Sequence, residues 1–357
     1  MVANPNHFAL VVGINRYPGL SDLRFAKNDA ADFAGWLVDP VGGGCDPEHV
    51  KLIHVTEADE AAFGDWSEAL PDWGRVTKAL GKLHEEARAA RSQDPSFWKD
   101  SRLYVFASGH GIAPMDASGA YLTAEATLDQ LGYNVDAATY ANYYRQGSLF
   151  RQVIFLMDCC RQRIPGAAAL DPPFTRNDDP APDRVDIVIG YATAYGDVAR
   201  EPVGPVEDPD AQRGFFTRAL LDGLRNGVGA ADGSVDVASL ERHMRNHVES
   251  ATNGSSRRQS TRFVVESDEP VILRAPDPTR AAVPPVAHKV VLRFQQDPPA
   301  QVKLLDGSLE QLSAVDVVEG AAVVELSDGI YGVTVAGPPN VFPFSVAGSE
   351  VTVDVVL

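Results

Sequence analysis

Apolar runs alternate along most of the chain with stretches whose apolar residues recur every three or four positions. The run "HFALVVGI" (7–14) ends at glycine and predicts a buried strand. In "AKNDAADFAGWL" that follows, Ala26, Ala30, Phe33 and Leu37 fall on one helical face. The same alternation continues through strand "HVKLIHV", helix "RVTKALGKLHEEARAARS" (Val76, Leu80, Leu83 and Ala87 on one face), strand "SRLYVFASGHG" and short helix "AATYANYYRQ". Strands "RQVIFLMDCC" and "RVDIVIGYATA" come next, then helices "GFFTRALLDGLRNG" and "DVASLERHMRNHVESATNG", each stopped by glycine. "TRFVVE" and "PVILRA" read as short β segments. Strands apolar throughout, alternating with amphipathic helices, predict an α/β fold whose mostly parallel sheet is covered by helices on both faces. Functional groups in such sheets sit beyond the C-terminal strand ends. Three groups fall there: Ser108–Gly111, Asp158–Arg161 and Ala192–Glu201.

Two stretches break the pattern. Residues 161–184, with five prolines and no periodicity, form a loop too long to be a simple connection. Residues 277–287 are proline-rich and read as a linker, which divides the chain into domains at 1–276 and 288–357. The second is a small β-sandwich-like module of short strands; Val351, Val353 and Val355 alternate with polar residues as on a half-buried strand. It carries no catalytic constellation.

Composition narrows the function. The 49 acidic residues outnumber the 31 lysines and arginines, for a formal charge of −18. Nucleic acid and anionic membranes both need a basic surface, so neither is expected as a partner. The acidity reads either as solubility or as attraction to basic substrates. Three cysteines, two of them adjacent, make no disulfide framework and point to a reducing compartment. With no basic leader and no apolar stretch near the ~18 residues of a span, a cytoplasmic protein is expected. His243 and His247 stand one helical turn apart, but the sequence offers no third ligand, so they read as surface residues and no metal or other cofactor is expected.

The candidate chemistry lies in "ASGHG" and "DCCRQ". His110 stands between two glycines past one strand end, and Cys160 ends the next long strand, 50 residues later. Neighbouring parallel strands would bring both to one sheet edge. A thiol needs a base to act as a nucleophile at neutral pH, and imidazole is the usual one. The glycines permit close backbone approach, and the Gly111 N–H can serve an oxyanion.

These motifs resemble those of the caspase-like cysteine peptidases, the clan of caspases, metacaspases and bacterial orthocaspases. "DCC" is similar to the metacaspase cysteine motif, "ASGHG" to the histidine motif, and "ALVVGINRYPGLSDLRFAKNDAADFAGWL" to the opening strand, loop and helix. "ATAYGDVARE" and "GFFTRALLDGLRNG" resemble the loop and helix after the fifth strand, so the likeness spans roughly residues 5–275. It implies Cys160 as nucleophile, His110 as general base and acid, and the N–H groups of Gly111 and Cys160 as the oxyanion hole, with Cys159 packing on the opposite strand face. It also implies protein or peptide substrates. Asp158 takes the position of a substrate-pocket residue, and Asp197 or Glu201 could add to the pocket. Carboxylates there favour an arginine or lysine before the scissile bond. Asp158 could instead cap a helix or pair with Arg161.

The family's acidic calcium run is missing, with only Asp116 and Glu125 after the histidine, so calcium is not expected; the glycine that usually follows the cysteine motif is absent too. Arg24 lies near the place where caspases hold an acidic residue with arginine, and keeps an Asp-specific peptidase as the second reading. An inactive scaffold acting through the β module is a third. By position, residues 161–184 correspond to the family's processing linker, expected to be exposed and cut after Arg176, Arg163 or Arg184, by the enzyme itself or by an upstream protease. Family analogy extends to bacterial cell-death or antiviral defence.

Overall fold

A run of seven residues with hardly a polar side chain is stable only inside a sheet covered on both faces. The computed structural model builds such a sheet, and describes residues 4–53, 55–115, 118–147, 149–164, 166–175, 184–202, 212–228, 232–252, 258–277, 288–294, 299–307, 309–327, 329–335, 341–346 and 351–355. In chain order come β1 (His7–Gly13), α1 (Ala26–Val38), β2 (Val50–Ile53), α2 (Glu57–Ala62), α3 (Trp73–Gln93) and β3 (Arg102–Ser108). Three short strands follow, β4 (Gly111–Ala113), β5 (Ala120–Leu122) and β6 (Asn134–Asp136), then α4 (Ala137–Gly147), β7 (Gln152–Asp158), β8 (Gln162–Arg163) and β9 (Asp186–Tyr191). The sequence continues with α5 (Phe215–Asn226), β10 (Val235–Asp236), α6 (Val237–Ala251), β11 (Arg262–Glu266) and β12 (Ile272–Arg274). Residues 1–221 and 244–271 form one compact unit, and residues 222–243 and 272–357 another.

The first unit holds a six-stranded sheet in the order β11-β9-β7-β3-β1-β2, parallel except for β11, which runs antiparallel to β9. Strand parity sorts its side chains. Phe8, Leu10, Leu103, Val105, Val153 and Phe155 join the core beneath α3 and α4. The alternate residues face α1, where the Phe33 ring stacks on Phe106 with centroids 4.5 Å apart. The same parity puts Ser108 and Asp158, the last residues of β3 and β7, on the α1 face, in register with each other. Cys159 then falls on the other face, buried in the α3/α4 core.

A second sheet, β6-β5-β4-β8, continues the chain beyond the ends of β3 and β7. Its strands have two or three residues, too few to show a period in the sequence. It also takes in the start of residues 161–184, whose described residues other than Arg161 are exposed or half-buried. Gln162 and Arg163 pair with Ile112 and Ala113. Asn134 Nδ2 donates to the Ala168 carbonyl at 2.8 Å. Phe174 packs on the core beside His84 and Tyr143. These contacts tie residues 162–174 to the rest of the unit while the described side chains stay exposed or half-buried; Arg176 lies outside the described residues, and Arg184 pairs with Asp268 at 3.0 Å.

In the second unit β10 pairs with β12. The strands β13 (His288–Phe294), β14 (Gln301–Asp306), β15 (Gln311–Asp316), β16 (Ala321–Leu326), β17 (Gly329–Thr334), β18 (Phe342–Val346) and β19 (Val351–Val355) make two sheets, β16-β13-β19 and β15-β14-β17-β18. Alternate residues of both, among them Val290, Leu292, Val302, Leu304 and Val333, share one core, as two stacked sheets require. His243, expected on the surface, is buried, with Nε2 3.3 Å from the Asp222 carboxylate. That acidic neighbour sits on another helix, where sequence spacing cannot show it. Among the described residues, no helix is long and apolar enough to cross a membrane.

Candidate active site

The sheet edge gathers two of the three sequence groups at once. Gly109 N–H, just past β3, donates to the Asp158 carbonyl at 3.2 Å, tying the histidine turn to the cysteine turn. Gly111 completes the approach. A Cβ built there would stand 2.6 Å from both Cys159 Sγ and the Cys160 carbonyl oxygen. Only hydrogen fits, so the contact between the two turns requires glycine at 111. Gly111→Ala is expected to push the turns apart and lower peptide cleavage by about 10²-fold, the cost typical of misplacing reacting groups by an ångström; steady-state kinetics on a short peptide measures it.

His110 is held from three sides. Its backbone N–H donates to Tyr17 Oη at 3.0 Å, and Tyr17 Oη donates to the Leu122 carbonyl at 3.1 Å. The Tyr17 ring meets the imidazole edge-on at 4.7 Å. His110 Nε2 lies 2.6 Å from the Ser21 carbonyl oxygen. A carbonyl only accepts, so Nε2 donates, and in the neutral tautomer that matches this contact the lone pair is on Nδ1.

Cys160 is half-buried and Cys159 fully so. Burial pushes the Cys160 thiol up to about 11, and the S–H donates to the Ala199 carbonyl at 3.8 Å. No hydrogen bond joins Cys160 to His110: the two stand at one edge with the thiol and the imidazole each engaged elsewhere. Cys159 Sγ contacts the Ala120 carbonyl at 4.0 Å, and burial raises its thiol well above the ordinary range.

Asp158 lies on the α1 side. One of its oxygens accepts from the Thr217 N–H at 3.1 Å and hydroxyl at 2.6 Å, capping the first turn of α5. Arg161 turns the other way: its guanidinium donates to the Ser118 and Thr193 carbonyls and lies 3.8 Å over the Tyr191 ring. The Arg161 backbone exchanges hydrogen bonds with Asp197 and Gly196, so the main chain of Asp197 braces the cysteine turn. Beside Asp158 stands a second buried carboxylate, Asp29 of α1, which accepts from Ser108 Oγ at 2.8 Å and Gly214 N–H at 3.0 Å. The two acids flank Gly214, whose Cβ, if present, would meet Asp158 at 2.6 Å and Asp29 at 3.2 Å. Neither forms an ion pair with any described residue. Burial, then their mutual repulsion, pushes Asp29 well above the usual carboxylate range, and burial first raises Asp158 to about 6. Glu201 accepts from the backbone N–H groups of Arg24 and Phe25, each at 3.0 Å, at the start of α1. The Arg24 guanidinium rests over the Phe25 ring.

Sequence reasoning missed Asp29, Tyr17 and Ser21. Asp29 did leave a signal: a charge set among Ala26, Ala30 and Phe33 on the buried stripe of a helix. Tyr17 and Ser21 lie in a loop without periodicity, and the shorter Ser21 contact, 2.6 Å against 3.4 Å for its hydroxyl, is made by the backbone, which no residue type announces. Glu125 accepts from the Trp73 N–H at the start of α3, and Asp116 lies outside the described residues.

Residues 6–269 match the caspase domain family, and the chain belongs to it. Solved structures resembling it include caspase-1 from Spodoptera frugiperda, at 14% identity and TM-score 0.44, covering 78% of this chain and 93% of that one. Another is a protein of Geobacter sulfurreducens, at 15% identity and TM-score 0.41, covering 77% and 96%. A search of the curated proteins finds no match.

Proposed function

We propose that this chain is a cysteine endopeptidase that cuts proteins after arginine, and less readily after lysine. The observation that carries the reading is the buried pair Asp29–Asp158, two carboxylates behind the cysteine turn without a cation among the described residues. Burying two like charges is costly unless a cation joins them or a proton stays on. A guanidinium beside them would release that proton and take charge-assisted hydrogen bonds.

In this scheme His110 Nδ1 takes the Cys160 proton. The sulfur attacks the scissile carbonyl, and the N–H groups of Gly111 and Cys160 stabilise the oxyanion. The protonated imidazole then passes its proton to the leaving amine, which departs and leaves an acyl-enzyme. Water, deprotonated by the same nitrogen, hydrolyses the thioester and returns the thiol. The Ser21 carbonyl holds the ring in the tautomer this requires. Digestion of a peptide library by the purified protein tests the specificity: Arg before the cut should dominate, Lys follow and Asp be absent, while dominance of Asp would overturn the basic pocket.

The resting thiol, protonated and turned to Ala199, fits a weakly active precursor. Arg163 is paired in β8 and Arg184 adjoins β9, so a cut after either would fall at a strand, and Arg176, between them in the sequence, is the first site we propose. Mass spectrometry of the active preparation is expected to find cleavage there; full activity in protein intact over 161–184 would refute it.

A further inference from the structure

The six-stranded sheet ends at β2, which pairs with β1 on one side (Ala9 with Val50 through Val12 with Ile53) and with no described strand on the other. An open strand presents N–H and C=O groups to whatever extended chain can lie beside it. Here the open edge faces a groove of about 570 Å³, walled by β2 and by one stripe of α3. The stripe consists of Arg75, Lys78 and Lys82, spaced along one helical face, and Lys51 joins them from β2. The acidic side chain lining the groove is Glu86, 3.5 Å from Lys51. Lys78 and Lys82 make no ion pair among the described residues. Leu52, at the centre of β2, is 40% exposed.

Four cations gathered along one groove stand out in a chain whose formal charge is −18, because its general surface repels acidic ligands. We infer that this edge docks an extended, acidic segment of a partner protein, which adds to β2 as a strand, sets carboxylates against Lys78 and Lys82, and lays an apolar side chain on Leu52. Strand addition supplies affinity through the backbone, and the lysine stripe supplies selectivity. β1 lies between β2 and the strand that leads to His110, so docking leaves the peptidase cleft open. Nucleic acid would satisfy the cations but neither the strand edge nor Leu52.

The test uses the full chain with Cys160→Ala, so that nothing is cut, and fluorescence anisotropy of a labelled nine-residue peptide of alternating glutamate and valine. Saturable binding is expected, weakened about ten-fold or more by Lys78→Glu with Lys82→Glu. Both residues are exposed, and an unchanged circular dichroism melt verifies the fold. The same peptide N-methylated at alternate residues, which cannot form the ladder, should lose binding to the unaltered groove. No binding, binding indifferent to the lysines, binding indifferent to N-methylation, or equal binding of a single-stranded oligonucleotide of the same charge each overturns the inference.

Discussion

If Cys160 and His110 act as the proposed nucleophile and base, Cys160→Ala and His110→Ala are each expected to remove peptide cleavage, by about 10⁴-fold or more, since such a pair acts as a unit and losing either disables both. Cys159→Ala should keep most of the activity, although the two cysteines are neighbours. The difference is strand parity: Cys159 is 1% exposed in the core beneath α3 and α4, while Cys160 is accessible at the strand end. Steady-state hydrolysis of an arginyl peptide decides it, and a dead Cys159→Ala variant with a normal melting temperature would assign the nucleophile to the wrong cysteine. The high thiol pKa adds an expectation for alkylation. Iodoacetamide should label Cys160 slowly in the resting protein, because burial and the Ala199 contact hold it as a thiol, and faster once a substrate analogue displaces that contact.

Asp158→Asn is expected to separate function from stability. Cleavage after arginine should fall about ten- to a hundred-fold, the loss of one charge-assisted contact of roughly 1.5–3 kcal/mol. The fold should gain. A carboxyl whose folded pKa is about 6, above the unfolded value of 3.8, binds its proton more tightly when folded. It therefore favours the folded state at low pH, and that contribution is lost as pH rises through about 6. Asparagine keeps an acceptor for Thr217 and never ionises. At pH 7.5 the variant should be more stable by on the order of 1–3 kcal/mol, and at pH 4 the advantage should disappear. Denaturant melts at the two pH values test the sign; a variant less stable at pH 7.5 would mean that a cation already neutralises the pair. Asp29→Asn should change stability in the same direction.

Much of the fold was legible because its strands are buried on both faces and its helices on one. β1, β3, β7 and β9 all lie within the apolar runs, and the α1 stripe predicted from Ala26, Ala30, Phe33 and Leu37 is the buried one. Sequence alone also put His110 and Cys160 at C-terminal strand ends, since both follow directly on such runs. Those are local properties, written in spacing and residue type. Tertiary structure decided what depends on partners distant in the chain. It brought Asp29 beside Asp158, 129 positions apart in the numbering, because α1 covers the face on which β7 ends. It oriented His110 through a carbonyl of Ser21 and a hydroxyl of Tyr17, turned Arg161 away from Asp158 onto Tyr191, and paired the start of a proline-rich loop with β4. Hydrophobic periodicity reports which side of an element meets the core; it carries no record of which polar atom, from which other element, waits there.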